Sequence, residues 1–142
     1  MWSKKHVTRV RGISADAIWK VWADINHWHT WQPDLEYARL EGDFVAGNGF
    51  LLKPKGGPKV KIQLLHVEPL KFFTDLTRFP GAKMFGHHEF NVHGDELEIL
   101  TEMSIRGPLA FLWRKIVAEG VAGGMGRQTE ALIIQARAHA QA

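Results

Sequence analysis

The sequence contains no cysteine, which removes disulfide frameworks, thiolate nucleophiles and cysteine metal sites in one step. No run approaches 18 apolar residues, so no segment predicts a transmembrane helix. Met1 to His6 offers no apolar core for a signal peptide, and the expected location is cytoplasmic, without stable membrane insertion. Charge of one sign is scarce too: 18 Lys and Arg against 15 Asp and Glu leave +3, a small excess that gives no reason to expect nucleic acid as a partner. There is no Gly-x-Ser-x-Gly elbow, and Gly42 to Gly47 lacks the strand-to-helix setting of a phosphate loop. His27-x-His29 and His87-His88 with His93 do not have the spacing of a metal site, because adjacent strand residues face opposite ways. Neither metal nor cofactor is expected. With no repeats, linkers or low-complexity stretches, the length suits one domain over residues 1–142.

What is present reads as a folded protein, with 45% apolar and 23% charged residues. The last quarter organises the rest. Gly107-Pro108 opens a helical pattern, and Leu109, Leu112, Trp113, Ile116, Val117, Val121, Leu132 and Ala136 recur on one broad stripe. Gly120, Gly123, Gly124 and Gly126 interrupt it, each costing about 1 kcal/mol relative to Ala in a helix interior. The cluster implies a kink, a side-chain-free patch above a cavity, or a plain break between two helices.

Upstream, Lys5 to Arg11 reads as a short strand. Ser14 reads as an N-cap for a helix carrying Ala17, Ile18, Val21, Trp22 and Ile25, and Asn26 to Pro33 as a short irregular or helical turn. Beyond Pro33 the apolar period changes to two. Candidate strands are Glu36 to Glu41, Asn48 to Lys53, Lys59 to Val67, Lys71 to Phe79, Met84 to His93 and Glu96 to Arg106, bounded by Gly, Pro, Asn or Asp. With the first strand they make a seven-stranded antiparallel meander. Its buried face needs a cover, and the terminal helix is the element long enough to supply one. Alternation turns Phe50 and Leu52, Val60, Ile62 and Leu64, His88, Phe90 and Val92, and Leu97, Ile99, Thr101, Met103 and Ile105 inward. In Lys71 to Phe79 either Phe72, Thr74 and Leu76 or Phe73, Asp75 and Thr77 face in. Lys53, Lys55, Lys59 and Lys61 surround Gly56-Gly57-Pro58, a solvated hairpin tip that discourages edge pairing.

The Ser-capped helix with Trp19 and Trp22, Trp28-x-x-Trp31-x-Pro33, His88-x-Phe90 and Gly107-Pro108-Leu109, in this order of elements, resemble the START/Bet v 1-like superfamily. The likeness is strongest to its bacterial polyketide cyclase/dehydrase and lipid-transport-like (SRPBCC) branch. The resemblance covers the whole chain and implies an α+β helix-grip fold. In it a curved seven-stranded antiparallel sheet surrounds a long C-terminal helix, with two short helices after the first strand. It also implies an apolar cavity, expected at about 300 Å³ or more. Alternation and resemblance together line that cavity with Trp31, Phe50, Leu52, Ile62, Leu64, His88, Phe90, Thr101, Met103, Trp113, Ile116, Val117 and Met125; the alternative is that these residues form a filled core.

Three functions follow from the resemblance. The first is binding of a small hydrophobic ligand, lipid-like or aromatic and polyketide-like. The second is polyketide cyclase/dehydrase-type catalysis with His88 as general acid or base, supported by Asp75 or Thr101; the plain alternative for His88 is a hydrogen-bonded core residue. The third is a protein- or membrane-binding module, for which exposed Trp28, Trp31 or Phe85 near Lys53 to Lys61 would be the mark. No particular partner protein is implied.

Overall fold

A computed structural model describes residues 2–140. The strands are β1 (Trp2–Arg11), β2 (Leu35–Leu40), β3 (Gly49–Pro54), β4 (Val60–Glu68), β5 (Phe72–Phe79), β6 (Ala82–His93) and β7 (Glu96–Arg106). They form one curved antiparallel sheet in the order β1-β7-β6-β5-β4-β3-β2. β1 starts at Trp2 instead of Lys5, because Trp2 already pairs with Ile105. β6 starts at Ala82 instead of Met84, because Phe79 and Ala82 close a hairpin whose turn holds Gly81 at φ +73°.

Helix α1 (Ala15–Ala23) begins where Ser14 Oγ accepts from the Ala17 N–H at 3.1 Å, a cap worth about 1 kcal/mol. Asp16 in its first turn meets Lys20 at 3.0 Å. Its apolar stripe buries Ile18, Val21 and Trp22. A 3-10 helix, Ile25–Thr30, follows and buries Ile25 and Trp28. The Trp28 indole N–H donates to the carbonyls of Val21 and Trp22, which fastens this turn to the end of α1.

The C-terminal run is not one rod. It starts at Ala110, after Pro108, and comprises α2 (Ala110–Trp113), a π-helical turn (Arg114–Ala118), α3 (Glu119–Gly123) and, past a turn at Gly124, α4 (Met125–Ala140). Of the three readings of the glycine cluster, the patch with something packed close against it fails at two of its glycines. A Cβ on Gly120 or Gly123 would meet open space, whereas one on Gly126 would come 3.3 Å from the His6 ring. The cluster is therefore a break with one close approach. Gly107, at φ +123°, has a different reason, since a Cβ there would lie 2.6 Å from the Gly81 carbonyl.

The terminal helix does not cover the sheet alone; α1 packs against α4, and the 3-10 helix against β2. Two apolar clusters result. The larger joins Ile18, Trp22, Trp28, Phe50, Leu64, Phe73, Phe90, Ile99, Leu132 and Ala136 with their neighbours; the smaller joins Ala82, Met103, Ile105, Ala118, Ala122 and Met125. Val92, expected inward, is 68% exposed. It keeps the parity of His88 and Phe90 but sits beside the Gly94-Asp95 turn that closes the β6–β7 hairpin, where the strands run past their cover.

Candidate functional site

Pairing resolves the register left open in β5. Phe73 stands opposite His88, and His88 opposite Thr101, so these three form a row across β5, β6 and β7. One step along, Asp75 stands opposite Gly86. The His88 Nε2–H donates to Asp75 Oδ2 at 3.2 Å, and both side chains are about four-fifths buried. Gly86 makes the pair possible: a Cβ there would lie 2.7 Å from Asp75 Oδ1 and 3.0 Å from Oδ2. The imidazole stacks on Phe73 at 4.4 Å and meets the edge of Trp22 at 5.9 Å. A buried histidine held between a carboxylate and two rings has a fixed orientation, the arrangement a proton-transfer group requires.

Above this row lie Trp22 from α1, Trp28, Trp31 and Gln32 from the turn, and Gln128, Thr129 and Leu132 from α4. The void they enclose with Phe73, His88 and Thr101 is about 20 Å³, room for a single water and far below the cavity expected from sequence. Aromatic side chains fill the space: Trp19, Trp22, Phe44, Phe73 and Phe90 meet at centroid distances of 5.1 to 6.4 Å, mostly edge to face. At the mouth the Gln128 amide donates to Gln32 Oε1 at 3.1 Å, across an exposed contact. The buried Gln32 Nε2 has no hydrogen-bond partner among the described residues, and Thr129 Oγ1 donates to the Met125 carbonyl. The site is therefore an aromatic slot with polar groups at one wall and at its entrance.

Of the residues proposed from sequence, Trp31, His88 and Thr101 line this slot. Phe50, Leu64 and Phe90 are buried in the larger cluster, with Leu52 and Ile62 packed against it. Met103 and Met125 belong to the smaller cluster. Trp113 packs against that cluster, stacked on Phe79 at 4.6 Å with its indole N–H donating to the Pro80 carbonyl. Ile116 is 61% exposed and Val117 is half-buried, and neither borders the slot. Trp22, Trp28, Gln32, Phe73, Gln128, Thr129 and Leu132 line it without having been proposed. Trp22 and Leu132 already lay on the apolar helix stripes, and Phe73 was one of the two choices for β5. The two glutamines carry no signal in sequence.

On the opposite face of β6, Glu89 is held below the ordinary carboxylate range by the hydrogen bond from Asn91, with burial opposing and His87 adding to the lowering. Among the described residues no group of three His, Asp or Glu is placed to hold a metal, and no helix is long and apolar enough to cross a membrane.

No protein-family model matches the chain, and no curated protein matches it in sequence. Solved structures do. A hypothetical protein from Helicobacter pylori is 14% identical with a TM-score of 0.75, over 94% of this chain and 87% of that one. Norcoclaurine synthase from Thalictrum flavum, in complex with dopamine and hydroxybenzaldehyde, is 18% identical with a TM-score of 0.71, over 92% and 83%. A START superfamily protein from Mycobacterium smegmatis is 12% identical with a TM-score of 0.69, over 94% and 97%. At these identities the likeness is one of fold: the chain has the helix-grip fold of START and Bet v 1-like proteins.

Proposed function

We propose that the protein binds a small, flat, largely apolar ligand, aromatic or polyketide-like in preference to a long acyl chain, in the slot between β5–β7 and α4. The observation that carries this reading is His88, oriented by Asp75, in the wall of a space otherwise ringed by Trp22, Trp28, Trp31 and Phe73. Flat rings complement such walls, and one oriented polar group suits a ligand with a single hydroxyl or carbonyl. Norcoclaurine synthase, which shares the fold, has been solved with two aromatic molecules of this size class. Admission of a ring requires the slot to widen. The Gln32–Gln128 contact at its mouth is the obvious place, because an exposed hydrogen bond contributes only about 1 kcal/mol.

The His88–Asp75 pair also favours a second reading, catalysis at a carbonyl compound. Asp75 occupies Nε2, so Nδ1 is the atom that would accept a proton from the carbon next to the carbonyl. Thr101 and the Gln32 amide, which line the same slot, are donors that would hold the resulting enolate oxygen.

Three tryptophans in the wall make ligand entry visible as a change in intrinsic fluorescence. Titration with 2-naphthol and 4-hydroxybenzaldehyde is expected to give saturable quenching, and oleic acid a much weaker response. Saturation by oleic acid alone would move the reading to a lipid carrier, and no response to any of the three would remove it. His88→Ala then separates binder from enzyme. Affinity should stay within a few fold for a binder, since buried area dominates it, whereas turnover of an enolisable ketone should fall about 10²-fold or more for an enzyme.

A further inference from the structure

At the far end of the sheet, strand pairing sets Arg78 of β5 opposite Lys83 of β6, and Lys83 opposite Arg106 of β7. Three cations thus stand side by side across three adjacent strands. Like charges in directly opposed positions repel, yet none of the three is in an ion pair among the described residues. Their neighbours leave the charge uncompensated: Arg78 donates to Gln63 Oε1 at 2.8 Å, and the Arg106 guanidinium lies 4.6 Å from the centre of the Phe85 ring. All three border an open cleft of about 480 Å³ whose rim is Gly81, Gly107 and Pro108, and among the described residues no carboxylate lines it.

The rim continues directly into exposed hydrocarbon. The Leu109 N–H donates to the Gly81 carbonyl at 2.8 Å, which pins the start of the helical run to the edge of the cleft. From there Leu109, Phe111, Leu112 and Ile116 are exposed, Phe111 by 67%. Lys115 beside them is exposed and without an ion pair among the described residues, while Glu119, the one acid of α2, the π-helical turn and α3, pairs with Arg114 at 3.4 Å. Trp28 is instead buried, and Trp31 and Phe85 are half-buried, so the apolar surface lies here and not near Lys53 to Lys61.

We propose that this end of the molecule docks peripherally on an anionic phospholipid bilayer, with Arg78, Lys83, Arg106 and Lys115 on the headgroup phosphates. Leu109, Phe111, Leu112 and Ile116 enter the boundary between headgroups and acyl chains. Charge selects this occupant. A second copy of the chain in a two-fold interface would set the same cations against each other. A lone phosphate would leave the apolar side chains without a role, and a row spaced by strands about 4.8 Å apart spreads its charge across more than one headgroup. Cations beside bulky apolar residues suit an anionic interface, where each basic residue strengthens binding roughly fivefold. The inference is independent of what the His88 slot binds.

The test is co-sedimentation of the full chain with phosphatidylglycerol/phosphatidylcholine vesicles and with pure phosphatidylcholine vesicles. Binding is expected only to the anionic vesicles, weakening as salt rises. The triple variant Arg78→Gln/Lys83→Gln/Arg106→Gln should bind about a hundredfold more weakly. If it does not fold by circular dichroism, Lys83→Gln alone should lose roughly fivefold. Phe111→Ser with Ile116→Ser should lose about tenfold or more. Equal binding to neutral vesicles, or undiminished binding by the folded variants, overturns the proposal. So does a concentration-dependent dimer abolished by Phe111→Ser, or binding of inorganic phosphate without vesicle binding.

Discussion

The two ends of the sheet are closed with different materials. Under α1 and α4 the cover is aromatic, Trp22, Trp28, Phe73 and Phe90 packed with aliphatic residues. Under α2 and α3 the buried core is Met103, Met125 and Ile105 with three alanines, and its rings, Trp2, Phe79 and Trp113, stay partly exposed at the margin. Rings in edge-to-face contact hold one another at defined angles, and a polar pair such as His88–Asp75 stays oriented among them. Methionine adapts to irregular gaps and fixes little. The helical run above it lies with Phe111 and Ile116 outward. The proposed ligand slot lies at the aromatic end and the proposed docking surface at the methionine end.

The sharpest way to break the contrast is Phe73→Ala. Phe73 is 1% exposed and meets Trp19, Trp22, Phe44 and His88, so its loss should cost about 3 to 5 kcal/mol, read by denaturant melts. Gly86→Ala is expected to cost about 1 to 2 kcal/mol by swinging Asp75 away from His88, visible as a changed imidazole signal by NMR. At the other end Met103→Leu should cost less than about 1.5 kcal/mol, because a flexible site repacks. Phe111→Ser should stay within about 0.5 kcal/mol of the parent in melts without vesicles, as an exposed side chain does.

The smallest effect contrasts the two faces of β6. Glu89, on the outer face, has a folded pKa below its unfolded value. Its stabilisation is present above the ordinary carboxylate range and is lost as pH falls through the lowered folded value. Melts of the parent and Glu89→Gln should therefore differ slightly at neutral pH and converge in acid.

Period and punctuation carried most of the fold. The strict alternation from Leu97 to Ile105 and the Ser14 cap are local features, and each appears in the structure as expected. Phe72 and Phe73 left β5 ambiguous because adjacent aromatics satisfy either face, and only pairing with His88 decides between them. The size of the cavity was illegible, since alternation says which side chains point inward and nothing about how completely they fill the space. Ile116 shows the same limit on a helix. It lies on the apolar stripe, but the run is interrupted at Arg114–Ala118 by a π-helical turn, which rotates later residues relative to earlier ones. Gln32 and Gln128 meet across 96 residues of sequence, a proximity that only the fold creates.

The most direct test of ligand binding at the aromatic end is native mass spectrometry of the protein purified from its own host, alongside a folded Thr101→Phe variant whose ring would occupy the slot. The account predicts one small apolar molecule per chain in the parent, retained in Phe111→Ser and missing from Thr101→Phe. An adduct carried equally by Thr101→Phe, or a parent that emerges empty and takes up neither 2-naphthol nor 4-hydroxybenzaldehyde, would contradict it.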